Sequence, residues 1–279
     1  MIEQQNNRNP YDNGTPELKR SVFCLVDILG YTEMITKSSQ NPISERELLR
    51  RLHTALAQSR NFLESISPIR YSPKDSFYLK AFTDNIAIGW PIIDDAEMEF
   101  GMAFPKLQQF QLTMANNGFF VRGAISVNDV YIDEITVFGN ALTEAYKAEQ
   151  SLARDPRIIM TKSAVEVAKK HIKYYANELA PHAEDLLKDS DGQWFLSYLQ
   201  CAQIGDEQLI YDLINKHQSI IEEKLKTYRD QPNIWSKYAW VANYHNYFCE
   251  TNAFECAEYI IDMDLFRARP TKIIPLPID

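Results

Sequence analysis

Basic charge is scarce in this chain: 29 Lys and Arg stand against 38 Asp and Glu, a formal net charge of −9. That balance excludes non-specific binding to nucleic acid or to an anionic membrane, because both need a basic face. Long apolar runs are missing too, and nothing approaches the roughly 18–20 consecutive apolar residues of a membrane span. The N-terminal segment MIEQQNNRNPYDNGTPELKR is polar and turn-rich, with no apolar signal core. The expectation is a soluble, cytoplasmic protein with no nucleic-acid and no membrane partner. The four cysteines (24, 201, 249 and 256) form no CxxC pair, and the five histidines have no HExxH spacing. Zinc and disulfide frameworks are therefore not expected. No internal repeat is visible. What remains is ordinary globular material, 45% hydrophobic and 24% charged over 279 residues, ample for a buried core. An acidic chain can still handle a nucleotide through a bound cation.

Residues 1–18 read as a disordered N-terminus. Ser21 to Ile28 is a short run of β-formers closed by Gly30, a strand buried on both faces. Helices are expected from Thr32 to about Ser38 and from Ser44 to Glu64. Strands Phe77–Phe82 and Ile86–Trp90 flank Thr83-Asp84-Asn85, a hairpin. A helix from about Asp95 to Asn116 ends at the cap signal Asn117-Gly118. Strand-like segments follow at 119–127, 129–132 and 135–138, then a helix from Asn140 to about Ala153, a strand Arg157–Met160 and a helix from Thr161. This order predicts an α+β fold, helices packed on a mainly antiparallel sheet, over residues 19–175. Residues 176–279 read as a mainly helical C-terminal extension, with helices at 207–228 and 235–248 and an extended tail at 273–279.

Two carboxylates stand out. Asp27 ends an apolar strand, where it must bind a cation or cap the helix near Tyr31. Asp84 is good turn chemistry taken alone. With the first strand beside the hairpin in one sheet, both meet at one edge. A pair of carboxylates there can hold two divalent ions, which activate a hydroxyl and clamp phosphates. Between them, Ile28-Leu29-Gly30-Tyr31-Thr32 leads into a helix and offers backbone N–H groups to a polyphosphate.

The ordered segments VDILGYTEM, LKAFTDNIAIG, VRGAIS and VFGNALTEAYKAE resemble the catalytic domain of class III nucleotide cyclases over about residues 20–165. With DPRIIMT, DGQWFLSYL and KYAWVANYHN, the chain is most similar to the Pycsar pyrimidine cyclases of bacterial anti-phage defence. The resemblance implies a ferredoxin-like cyclase core. It makes Asp27 and Asp84 the metal-binding aspartates, with the Ile28 carbonyl as a further ligand to two Mn2+ or Mg2+ ions. Residues 28–32 match the triphosphate loop. Lys80 falls where purine cyclases keep a base-reading lysine, and Thr136 where adenylate cyclases keep a base-reading aspartate. The transition-state Asn/Arg pair of the family falls on Thr143 and Lys147.

These departures carry information. Thr143 and Lys147 are i,i+4 on one helix face, so the spacing is kept while the chemistry changes. Lysine offers charge without the planar fork of arginine. Arg122 can supply phosphate charge instead, or form a structural salt bridge. A threonine at 136 weakens recognition of adenine and can pair with uracil N3–H or cytosine N3 alike. Phe23, Tyr31, Phe82 and Phe138 supply a base-stacking ring or, for most of them, core packing. The aromatic residues from Trp235 to Tyr247 read as packing of the extension, with His245 structural.

The implied activity is closure of UTP, ahead of CTP, to the 3′,5′-cyclic monophosphate and pyrophosphate. A head-to-tail homodimer with sites at its interface follows from one cassette per chain, and the product would activate a separate effector. A purine cyclase and a non-catalytic nucleotide sensor are the alternatives.

Overall fold

The computed structural model describes residues 9–12, 14–64, 77–175, 182–204, 208–251 and 257–266. The chain divides into two compact units, Met1–Gln208 and Leu209–Asp279.

In the first unit the elements run β1 (Lys19–Ile28), α1 (Tyr31–Ser38), α2 (Pro42–Glu64), β2 (Tyr78–Phe82), β3 (Asn85–Pro91), α3 (Glu97–Ala115), β4 (Val121–Ile132), β5 (Val137–Phe138), α4 (Asn140–Ser151), β6 (Ile158–Met160), α5 (Lys162–Tyr174), β7 (Leu186–Lys188) and β8 (Trp194–Leu196). The strands form one sheet in the order β2-β3-β1-β4-β6-β8-β7, with β5 paired to β4. Only the β4–β6 ladder is parallel, so the fold is α+β with a mainly antiparallel sheet, as the sequence predicts.

β1 is central, and Val22 to Val26 are all buried because helices cover both faces. Val22, Cys24, Val26 and Ile28 join α2, α3 and α5 in one core, through residues such as Leu63, Phe104, Phe110 and Val167. The opposite face carries α4, whose Ala141, Ala145 and Ala148 are buried; the Ser126 hydroxyl donates to the Ala141 carbonyl (2.9 Å). Gly123 lets β4 lie close against β1: a Cβ there would stand 2.3 Å from the Leu25 carbonyl oxygen. No side chain fits that gap.

Several expectations need correction. Residues 1–8 lie outside the described residues, but 9–12 are ordered. Tyr11 is fully buried with its hydroxyl donating to Ser21 Oγ (2.9 Å), and Asn9 Nδ2 donates to the Ile132 carbonyl (2.9 Å). A phenol with a partner is held in spite of the polar sequence around it. The segments at 119–127 and 129–132 are largely one strand, because β1 pairs through Ser21↔Asn128 and Arg20↔Asp129 and overrides the turn preference of Asn-Asp. The sheet also runs beyond 175: β7 and β8 add two strands, joined through Asp189–Gln193. Buried Arg157 anchors that turn by pairing with Asp189 and Asp191.

The second unit is helical, with α6 (Tyr211–Thr227) and α7 (Pro232–Thr251). Trp240 stacks on Tyr244 with centroids 5.7 Å apart, and Tyr238, Tyr244 and His245 are buried, so most of the aromatic set packs, while Tyr247 is 47% exposed. The tail at 273–279 lies outside the described residues. Among the described residues no helix is long and apolar enough to cross a membrane.

Candidate active site

β1 ends at the turn of the β2–β3 hairpin, and that meeting places Asp27 beside Asp84. Asp27 registers opposite Asn85, and the Ile28 N–H donates to the Asp84 carbonyl (3.2 Å). The hairpin turn is Thr83-Asp84, with Thr83 at φ 54°. The Asp84 carboxylate is aimed by its neighbours: Oδ1 accepts from Thr83 Oγ1 (2.9 Å) and Asn85 Nδ2 (3.2 Å).

Asp27 is partly buried and pairs with Arg122, its register partner on β4, through Nε at 3.1 Å. Arg122 Nη2 reaches Glu149 Oε1 on α4 at 2.8 Å, and Glu149 is 2% exposed. Burial raises the Asp27 carboxyl above its ordinary value; the Arg122 hydrogen bond and charge pull it back, while Glu149 and Asp84 push it up again. One guanidinium thus serves two carboxylates, with a third close by.

Gly30 follows at φ 74°, a left-handed conformation that glycine adopts without cost, and turns the chain into α1. No side chain caps the helix there, and Tyr31 and Thr32 open its first turn. Leu29 is pinned by its N–H to the Phe120 carbonyl (2.8 Å). The turn 28–32 therefore presents an N-terminal helix end next to the carboxylates, a geometry suited to anionic phosphate.

The expected base-reading positions lie in one neighbourhood. Asp133 takes the Thr136 N–H (2.6 Å), the Ile135 N–H (2.8 Å) and the Tyr131 hydroxyl (2.9 Å). The Thr136 N–H, then Tyr131 and Ile135, hold its carboxyl below the usual range against some burial, and Lys80 adds to this. Lys80 and Thr136 thus share Asp133 as a neighbour. Of the aromatic candidates, Phe23 is fully buried and packs in the core, which corrects its assignment to the substrate. Tyr31 also packs against the core, while Phe82 and Phe138 are 44% and 65% exposed.

Thr143 and Lys147 are exposed on α4. Lys147 and Glu149 lie two residues apart, about 200° around the helix. Since Glu149 points inward to Arg122, the Thr143/Lys147 face points away from the carboxylates of its own chain. Arg122, expected either at a phosphate or in a salt bridge, is in the salt bridge. Glu149 and Asp133 were missed by the sequence reading: the first looked like one more charge in KAEQ, although its i,i+2 offset from Lys147 marks the opposite helix face.

Among the described residues no group of three or more His, Cys, Asp or Glu side chains could hold a metal ion. The Asp27/Asp84 pair is all oxygen, suiting Mg2+ or Mn2+, which share their coordination with water and phosphate. One guanidinium shared by Asp27 and Glu149, with Asp84 close by, leaves the group of three carboxylates net negative, so the residues present fit divalent cations.

No protein-family model and no curated protein matches the sequence. Three solved structures are similar to this chain. A class III adenylyl cyclase-like ATP-binding protein from Pseudomonas aeruginosa has a TM-score of 0.44 at 12% identity, covering 62% of this chain; the match spans 40% of that protein's length. The guanylyl cyclase Cya2 has a TM-score of 0.41 at 13% identity, over 68% of this chain and 95% of its own. The catalytic core of a rhodopsin-guanylyl cyclase with converted specificity, in complex with ATPαS, has a TM-score of 0.37 at 13% identity, over 64% and 97%.

Proposed function

We propose that the chain is a nucleotide cyclase of the class III type that closes UTP to 3′,5′-cyclic UMP. The observation that carries this reading is the adjacency of Asp27 and Asp84 beside an uncapped helix end at Gly30. In the reaction the ribose 3′ oxygen forms a bond to the α-phosphorus, the bond from that phosphorus to the β-phosphate oxygen breaks, pyrophosphate leaves, and the 3′ hydroxyl proton passes to solvent.

Asp27, Asp84 and the Ile28 carbonyl would hold two Mn2+ or Mg2+ ions, which when bound make a hydroxyl easier to deprotonate and neutralise phosphate charge. The backbone of residues 28–32 holds the triphosphate. Arg122 is the resident counter-ion of Asp27 and keeps that carboxylate aimed in the absence of substrate. Lys80 and Thr136 read the base; a hydroxyl rather than a carboxylate at 136 favours a pyrimidine over adenine.

The outward direction of Thr143 and Lys147 supports a head-to-tail homodimer, in which each site takes its carboxylates from one chain and this helix face from the other. The resemblance to Pycsar enzymes supports a role in anti-phage defence, with the cyclic nucleotide activating a separate effector. A second reading, a nucleotide sensor without turnover, is favoured by the Asp27–Arg122 pair and the altered Thr143/Lys147 positions.

Incubation with equimolar UTP, CTP, ATP and GTP and Mn2+, products resolved by mass, tests the proposal. Cyclic UMP as the main product is expected. Cyclic CMP would move the assignment to cytosine, cyclic AMP or GMP would refute the pyrimidine reading, and no cyclic product would favour the sensor.

A further inference from the structure

Between α4, the start of α5 and the β7–β8 hairpin lies a cavity of about 480 Å3. Lys147, Lys162, Lys169 and Lys188 line it, with Trp194 in the wall and Glu144 as its single carboxylate. Glu144 is already engaged: Oε1 takes the Ser163 N–H (3.2 Å) and Oε2 the Ser163 hydroxyl (2.9 Å). Asp189 and Asp191 on the same hairpin both pair with Arg157. Lys162 has only an exposed partner, Glu166, at 4.0 Å, a weak surface pair. Lys169 Nζ lies 5.6 Å from the Trp194 ring centroid.

Four lysines and one committed carboxylate thus line the cavity, in a chain whose net charge is −9. A concave surface of one sign focuses potential and concentrates ions of the other. The volume falls in the range of about 300–1,000 Å3 typical of small-molecule sites, larger than a single phosphate needs. Lysines are flexible point charges that can spread along a chain of phosphates.

We propose that this cavity binds a polyphosphate, free as pyrophosphate or carried by a nucleotide, without a divalent cation and separately from Asp27 and Asp84. The inference stands whether or not the chain is a cyclase. Lys147 lines this cavity and is also the residue proposed to complete the partner's site, so it is left unchanged in the test.

Sodium pyrophosphate and UTP are titrated separately into the full chain in EDTA. Binding is followed by calorimetry and by Trp194 fluorescence, with Trp194→Phe as the optical blank. The proposal expects saturable binding of at least one of the two. The Lys169→Gln/Lys188→Gln variant, altered only at exposed side chains, should keep its thermal midpoint and weaken Kd at least about tenfold, roughly 1.4 kcal/mol. The Asp27→Asn/Asp84→Asn variant should bind within about twofold of the parent. Equal affinity for the two ligands would assign recognition to the phosphates; tighter UTP, lost in Trp194→Phe, would add the base. Absence of binding in EDTA, binding indifferent to the lysine changes, or binding lost with the two aspartates would each overturn it.

Discussion

Arg122 bridges Asp27 and Glu149, with Nε 3.1 Å from Asp27 Oδ2 and Nη2 2.8 Å from Glu149 Oε1. The bridge ties the metal-type carboxylate at the end of β1 to the buried inner face of α4. It also fixes which way α4 is turned, and so where Thr143 and Lys147 point.

Removing the charge at Glu149 tests that coupling. Glu149→Gln leaves Arg122 with Asp27 alone but takes one carboxylate from a nearly closed site. Because breaking a buried pair outright costs about 3–5 kcal/mol and here half the pairing survives, a loss near 2 kcal/mol is expected. Chemical denaturation reads it directly, and an unchanged midpoint would show that Glu149 does not hold the arginine.

The outward face of α4 makes a prediction about assembly. Asp84→Asn and Lys147→Gln chains should each be inactive alone. Mixed and allowed to exchange, half the dimers are mixed and each of those has one intact site, so about a quarter of parental turnover returns. No recovery would place both halves of the site in one chain.

Gly123 gives a packing test. A methyl group 2.3 Å from the Leu25 carbonyl cannot be absorbed by a side-chain shift, because the obstruction is backbone. Gly123→Ala should move β4 off β1 and cost about 3 kcal/mol or more, at the severe end for a single substitution. Thermal melting checks this.

The second unit has its own pH dependence. His245 Nε2–H donates to the Tyr259 carbonyl (2.9 Å), so its Nδ1 must accept from His217 Nδ1–H (3.0 Å). Both rings are buried neutral; burial pushes His245 down to about 4 and, with the His245 charge, holds His217 well below its ordinary value. Their folded pKa values lie below the unfolded one, so the stability they contribute is complete above about pH 6.5 and is lost as pH falls towards 4. Each histidine removes at most about 1.4 kcal/mol per pH unit over that window. Denaturation of the chain followed by far-UV circular dichroism from pH 7 to 4.5 should show it, and stability rising with acid would contradict the burial of both rings in the neutral form.

Much of this was legible in the sequence, and particular residues show why. Asp27 was conspicuous because a carboxylate ending a buried run needs a reason, whereas Gly30 read only as the close of that run and its left-handed turn came with the structure. The alternation of β-formers and the helical spacing gave nearly every element up to α5. β7 and β8 were missed because each is three residues long, too short for a period to show, although the Asp-Gly of their turn was a signal. Tyr11 was missed because its burial depends on a pocket that distant strands build. The Arg122–Glu149 pair joins residues 27 apart in the chain, and nothing local announces it.

One measurement bears most directly on the central claim. Parent and Asp84→Asn proteins are given UTP with Mn2+, and cyclic UMP and pyrophosphate are quantified. The account predicts the two products in equal amounts from the parent and at least about 100-fold less from the variant, a loss of roughly 2.7 kcal/mol of transition-state stabilisation or more. Equal turnover by the two proteins, or no cyclic UMP from the parent, would contradict it.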